Sequence, residues 1–145
     1  MANSKCRALW WALVGSLLVY VVMAHVAQVT PNPNGPPVSL LVPVFTALSG
    51  TIAVGTIVFR RRALVGPIRA GRLDPSTPQG LQAAFTPFIL NLVLSESIGI
   101  YGLVLALLSG QPIYSIVFSA AAVALMFVHR PTAPDLVPPM SAHHP

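Results

Sequence analysis

Of the acidic residues Asp74, Glu96 and Asp135, only Glu96 falls inside an apolar segment, the run from Asn91 to Leu108. Charging a carboxylate in hydrocarbon costs roughly 2.5–3.5 kcal/mol on insertion scales, so an acid placed there marks a functional site by default. No Lys, Arg or His lies at comparable depth in the other apolar runs, because His25 is near the outer end of the first and His129 at the inner end of the last. With no partner expected in its own chain, Glu96 has three ways to exist: as the neutral acid, as a ligand to a cation, or facing a basic residue of another protein. A group that passes among these states is a carrier site. The competing expectation is a neutral acid that makes an interhelical hydrogen bond and moves nothing. At about 100° per residue, Asn91, Ser95, Gly99 and Gly102 share one helix face with Glu96 on its border. Such small, polar faces pack against other helices in lipid, which sets Glu96 at a seam beside the hydroxyls of Ser95 and Ser97.

The elements that position this carboxylate are apolar spans. The chain has 145 residues, 54% hydrophobic and only 8% charged, too few charges to clothe a soluble domain. Spans are expected at residues 9–29, 38–59, 83–108 and 112–129, the last being short; a helix rising 1.5 Å per residue crosses a core of about 30 Å in roughly 20 residues. Trp10 and Trp11 open the first span beside Arg7, where an aromatic belt is expected. An alternative for this stretch is a signal peptide with Lys5 and Arg7 ahead of it and a cleavage site at Ala24. Thr30 to Pro37 is proline-rich and reads as a stiff external loop. In the second span, Gly50 and Gly55 lie among Ala47, Ser49, Thr51 and Ala53 and predict close helix packing. Pro43 sits in its first turns, where a kink is tolerated.

Arg60, Arg61, Arg62, Arg69 and Arg72 occupy the stretch after the second span, which Gly66, Pro67, Gly71, Pro75 and Pro78 mark as a loop. Arginines beside spans set topology, so this loop is placed in the cytoplasm, where it also suits anionic lipid. Asp74 to Pro78 predicts turn and cap chemistry leading into the third helix, and Ser109 to Pro112 a tight external turn. Lys5, Arg7 and Arg130 fall on the same side as the arginine loop. The expected fold is therefore an all-α integral membrane protein of four transmembrane helices with both termini cytoplasmic. Residues 1–130 form a single domain and 131–145 a Pro-rich disordered tail. A net charge of +5 outside the apolar runs argues against a nucleic-acid partner, and the single Cys6 permits no intrachain disulfide.

The sequence from Ser95 to Leu108 resembles the carboxylate helix of the c subunit, or proteolipid, of rotary ATP synthases and ATPases. In that family a membrane-embedded acid is commonly followed five residues later by Tyr, then Gly-Leu and an apolar run; Glu96, Tyr101, Gly102 and Leu103 match that spacing. The second and third spans joined by the arginine loop also match the family hairpin, so the resemblance covers roughly residues 40–110. It implies that Glu96 takes up and releases an ion at a stator interface. Ser97 and Tyr101 would assist it, in a homo-oligomer or a larger membrane complex of the bacterial inner membrane. The ion favoured is a proton over Na⁺, since the second span has no Gln and position 98 is Ile where Na⁺-binding relatives often have Thr. The chain differs from the family in its sparse glycines before the loop and in two extra flanking spans, the last of which is placed to cover Glu96.

No nucleophile with a base, phosphate-cradling loop or metal cluster is recognisable, so a self-contained enzyme, a metal site or a cofactor is not expected. His25 and His129 fall at opposite faces, which rules out shared ligation of one haem, and His143 and His144 read as a solvated tail pair. Two function classes stand: a proteolipid-like subunit carrying protons on Glu96, and a small accessory membrane protein in which Glu96 only joins helices.

Overall fold

The computed structural model describes residues 2–27, 37–74 and 77–130, the side chains of residues 2–6, 78 and 81 excepted. The expected external loop, the Pro-rich tail with His143 and His144, and the side chains of Lys5 and Cys6 lie outside the described residues. The described chain is helical: α1 spans Ala2–Val26, α2 Val38–Arg60, a π-turn Arg61–Val65, α3 Gly66–Arg69, α4 Pro78–Ser109 and α5 Ile113–Val128. Among the described residues, Arg7–Val26, Val38–Arg69 and Gln82–Ser109 are long and apolar enough to cross a membrane. With 16 residues, α5 reaches only about 24 Å at 1.5 Å per residue, short of a full hydrocarbon core.

Local chemistry accounts for the ends of α4. Thr77 is the N-cap, its Oγ1 accepting from Gly80 N at 3.1 Å, and Pro78 occupies the first turn, where no N–H is needed. At the other end Gly110 adopts φ 67°, a left-handed cap that favours glycine, and Ser109 Oγ accepts from Gln111 N at 3.1 Å. Both turns follow the sequence expectation, although α4 begins about a turn earlier than the apolar run.

The arginine stretch does not. It continues α2 as helix to Arg69 instead of forming a loop from Arg60, so Arg60, Arg61, Arg62 and Arg69 lie on helical turns. A proline inside an α-helix clashes with the carbonyl four residues earlier. Here the wider π-turn, closed by Gly66 N donating to Arg61 O, precedes Pro67 and accommodates it. Gly71, at φ 66°, ends the segment, with Arg72 beyond it, and Pro67 O accepts from Arg72 N at 3.0 Å. Leu64, Ile68 and Ala84 form a small cluster that fastens this extension to the start of α4.

α4 is the hub and touches α1, α2 and α5. Leu92 and Leu105 of α4, Leu17 of α1 and Ala122 and Met126 of α5 are fully shielded at its centre. Trp10 meets Met126 near the end of α5, while Leu17 meets Gly99, so α1 runs alongside α4 in the same direction. Trp10 departs from the belt expectation: it is buried, its Nε1 donating to Met126 O at 3.0 Å, with Phe127 edge-on at 5.1 Å. Trp11 keeps the outward position. The reason is that an indole N–H taken out of water needs an acceptor, and the last turn of α5 offers a free carbonyl.

Candidate functional site

Glu96 is half-buried on the side of α4 that faces α1. Ser16 and Tyr20, one helical turn apart on α1, both reach its Oε1: Ser16 Oγ at 2.5 Å and the Tyr20 hydroxyl donating at 3.0 Å. The expectation that Glu96 has no partner in its own chain is therefore overturned. A search for opposite charge passes over hydroxyls, yet each is a good donor to a carboxylate oxygen. The signal was present in the sequence as two hydroxyl residues at i, i+4 in the middle of the first apolar run.

Ser16 has a second acceptor within reach, Leu13 O at 2.7 Å, but a serine has one hydroxyl proton. Two arrangements satisfy the geometry. In one, Ser16 donates to an ionised carboxyl. In the other, the carboxyl is protonated and donates to Ser16 Oγ, whose own proton turns to Leu13 O. They differ by one proton on the carboxyl and one rotation of the Ser16 hydroxyl.

Close approach of α1 depends on Gly99. A Cβ there would collide with Leu17 Cδ2, and Tyr20 Cδ2 would lie at 3.6 Å. Leu17 sits between Ser16 and Tyr20, so the bare backbone at Gly99 lets both hydroxyls reach the acid one turn away. Gly102 serves α5 instead: a Cβ there would collide with Phe118 Cβ and lie 2.9 Å from Tyr114 O. Asn91 and Ser95 are buried on the same side of α4, Ser95 Oγ donating to Asn91 O at 2.7 Å.

The other expected site residues are placed elsewhere. Ser97 Oγ donates to its own helix at Leu94 O, 2.7 Å away, and the Tyr101 ring stacks on Phe45 of α2, centroids 5.2 Å apart and nearly parallel. The structure thus brings Ser16 and Tyr20, rather than Ser97 and Tyr101, onto Glu96. On a helix, residues one and five positions away point about 100° and 140° off the reference side chain, which is why neither follows Glu96 toward α1. Gly50 and Gly55 also depart from expectation: a Cβ on either would meet nothing, so neither draws a helix close within the chain.

The α4–α5 seam is polar in a different way. Asn91, Ser115, Ser119 and His129 are buried, and their side-chain polar atoms have no hydrogen-bond partner. Asn91 lies three turns before Gly102, and His129 three turns after Phe118 on the opposed helix, so the two side chains sit at one level of the seam. Burial pushes the His129 imidazole down from its ordinary 6.5 to about 4, and the Arg60 guanidinium adds to the shift. His25, by contrast, is exposed and its Nδ1 lies 2.9 Å from Val21 O on its own helix.

No family model, curated protein or solved structure matches the chain. The likeness of Ser95 to Leu108 to a proteolipid helix rests on the residues themselves.

Proposed function

We propose that this chain is an integral membrane protein in which Glu96, Ser16 and Tyr20 form a proton-binding site, and that it works as a proteolipid-like subunit in proton translocation. The observation that carries the reading is the position of Ser16 Oγ between Glu96 Oε1 and Leu13 O, which lets the site hold the carboxyl in either protonation state. A binding site must satisfy both of its states, since a buried polar group left without a partner costs roughly 1–3 kcal/mol.

The outward surface supports a bilayer setting: Leu18, Val22, Val26, Leu40, Val54, Val117 and Val128 are all exposed. Support for both termini being cytoplasmic is that Arg7 precedes Trp10, which lies against Phe127, while Arg130 and the Arg60 charge flank His129 at that same end. The membrane is the bacterial inner membrane, and the chain acts in a homo-oligomer or beside a larger partner. Retention of α1 belongs to this reading, because cleavage at Ala24 would remove both hydroxyls from the site.

A second reading is favoured by one observation: both donors come from α1, which is outside the hairpin that resembles a proteolipid, and α1 covers the acid. In that reading Glu96 fastens α1 to α4 in an accessory membrane protein. A hydrophobic carbodiimide discriminates, since it modifies protonated carboxyls in lipid. Proton binding predicts saturable, pH-dependent labelling of Glu96, and Glu96→Gln abolishing the proton-linked phenotype with assembly retained. Labelling independent of pH, or a phenotype that survives the substitution, leaves only the fastening role. Mass in mild detergent gives a second reading: a large ring favours the proteolipid-like subunit, a monomer the accessory protein.

A further inference from the structure

The register of the helices against α4 sets the heights of the basic residues. Phe45 stacks on Tyr101 and Leu64 packs with Ala84, positions about as far apart along α2 and its extension as along α4, so the two remain antiparallel neighbours up to α3. Arg60, one turn before Leu64, is therefore level with Phe88 of α4. Arg7 precedes Leu17 by as many residues as Ile89 precedes Gly99, which Leu17 meets; Arg130 follows Phe118 by as many as Leu90 precedes Gly102, which Phe118 meets. Arg7, Arg60 and Arg130 thus share one level, where the apolar surface of all the spans ends. The extension of α2 goes further. Arg69 lies nine residues past Arg60, roughly 13 Å at 1.5 Å per residue, whereas the headgroup layer on one side of a bilayer is about 5–8 Å deep. Arg61, Arg62, Arg69 and Arg72 are all exposed, and among the described residues none of their guanidinium groups has a hydrogen bond or an ion pair. Arg60 and Asp74 have interactions of their own and stand outside this set.

We propose that Arg61, Arg62, Arg69 and Arg72 form a docking surface for an acidic segment of a cytosolic protein, whose Asp and Glu carboxylates pair with the guanidinium groups. The proposal rests on the membrane reading above but not on proton binding. Arginines at the level of Arg7, Arg60 and Arg130 are enough to orient the spans, so the charges further out have another use. Leu64 and Ile68 pin their segment to Ala84, which fixes the forks before a partner arrives and lowers the ordering cost of binding. Lipid suits the tip poorly, because the attraction of an anionic leaflet falls off within a Debye length, about 8 Å, and Arg69 and Arg72 stand beyond it. A second copy suits it no better. Of the three acidic residues in the chain, Glu96 lies in an apolar span and Asp74 is engaged, which leaves Asp135 to face four guanidinium groups.

The test uses the full chain in phosphatidylcholine nanodiscs, with a fluorescent decaglutamate peptide as the probe and anisotropy as the readout. The peptide is expected to bind and to weaken as salt is raised. Arg69→Gln with Arg72→Gln should lower its affinity about tenfold, whereas Arg7→Gln with Arg130→Gln, at the membrane level, should leave it within about twofold. Absence of binding, or an equal loss in the two double variants, overturns the proposal. So does a ten-residue oligothymidylate that binds as tightly as the peptide, since the surface then reads negative charge and not carboxylates. A dye on Ala70→Cys, in a Cys6→Ser background, should keep the emission of a water-exposed group when a third of the lipid is replaced by phosphatidylglycerol. A blue shift with loss of peptide binding would assign the arginines to lipid and overturn the proposal as well. Failure of the membrane reading shows separately, as chain that stays in solution and does not enter the discs.

Discussion

The two seams of α4 bury polar groups in opposite ways. Against α1, the polar atoms meet: Glu96 accepts from Ser16 and Tyr20, and Gly99 lets Leu17 in close enough for them to do so. Against α5, the polar atoms of Asn91, Ser115, Ser119 and His129 are shielded without partners, and contact is made by Gly102 under Phe118 and by Leu105, Ala122 and Met126. The first seam combines directional hydrogen bonds with the contact of Leu17 on Gly99, and the second is held by packing that tolerates unsatisfied groups. A helix held by bonds is loosened when a donor is removed; a helix held by shape is loosened only by bulk.

The contrast can be broken most strongly at Gly102. Gly102→Val forces a Cβ into Phe118 and Tyr114 O and should cost about 3 kcal/mol or more, the upper range for overpacking, read as a fall in unfolding midpoint in detergent. Gly99→Ala is expected to act on the other seam alone, pushing Leu17 away and parting both hydroxyls from Glu96. Tyr20→Phe should cost about 0.6–2 kcal/mol, in keeping with hydrogen bonds between membrane helices, and a double-mutant cycle with Glu96→Gln should return most of that as coupling. If the coupling is near zero, the α1 seam is held by packing after all.

For the α5 seam the pH dependence has a definite sign. The imidazole of His129 sits near 4 when folded and near 6.5 when unfolded, so between those values the unfolded chain binds more protons. Stability contributed here is full above about 6.5 and falls as the pH drops toward 4. Thermal midpoints at pH 7.5 and 4.5 should therefore differ less in His129→Leu than in the parent. The smallest effect belongs to Ser119→Ala, which removes a buried hydroxyl without a partner and should be neutral or stabilising by about 0.5 kcal/mol. A marked loss would mean that the hydroxyl is bonded in solution.

The four apolar helices were legible in the sequence because a run of side chains without charge needs no tertiary information to be recognised. The helical course of Arg60 to Arg69 was not. Gly66 and Pro67 carry the local signature of a break, and what overrides it is a π-turn held down by Leu64 and Ile68 on Ala84. Glu96 was legible as a lone charge, whereas Ser16 and Tyr20 were not, since hydroxyls scattered in apolar runs commonly bond their own backbone, as Ser97 and Thr51 do here. Glycines show the limit most plainly. Gly50 and Gly55 look like Gly99 and Gly102 in sequence, and only a neighbouring helix tells them apart.

The hydroxyls that meet Glu96 stand 76 and 80 residues before it in the chain. In the proposed topology the ribosome therefore delivers the donors long before the acceptor, and α4 brings a carboxyl into hydrocarbon at a step where every other span has already been made except α5. If α1 is still beside the insertion machinery, Glu96 enters the bilayer already bonded; if α1 has diffused away, it enters bare. Order of synthesis thus makes the state in which Glu96 meets hydrocarbon depend on where the first helix stands at that moment.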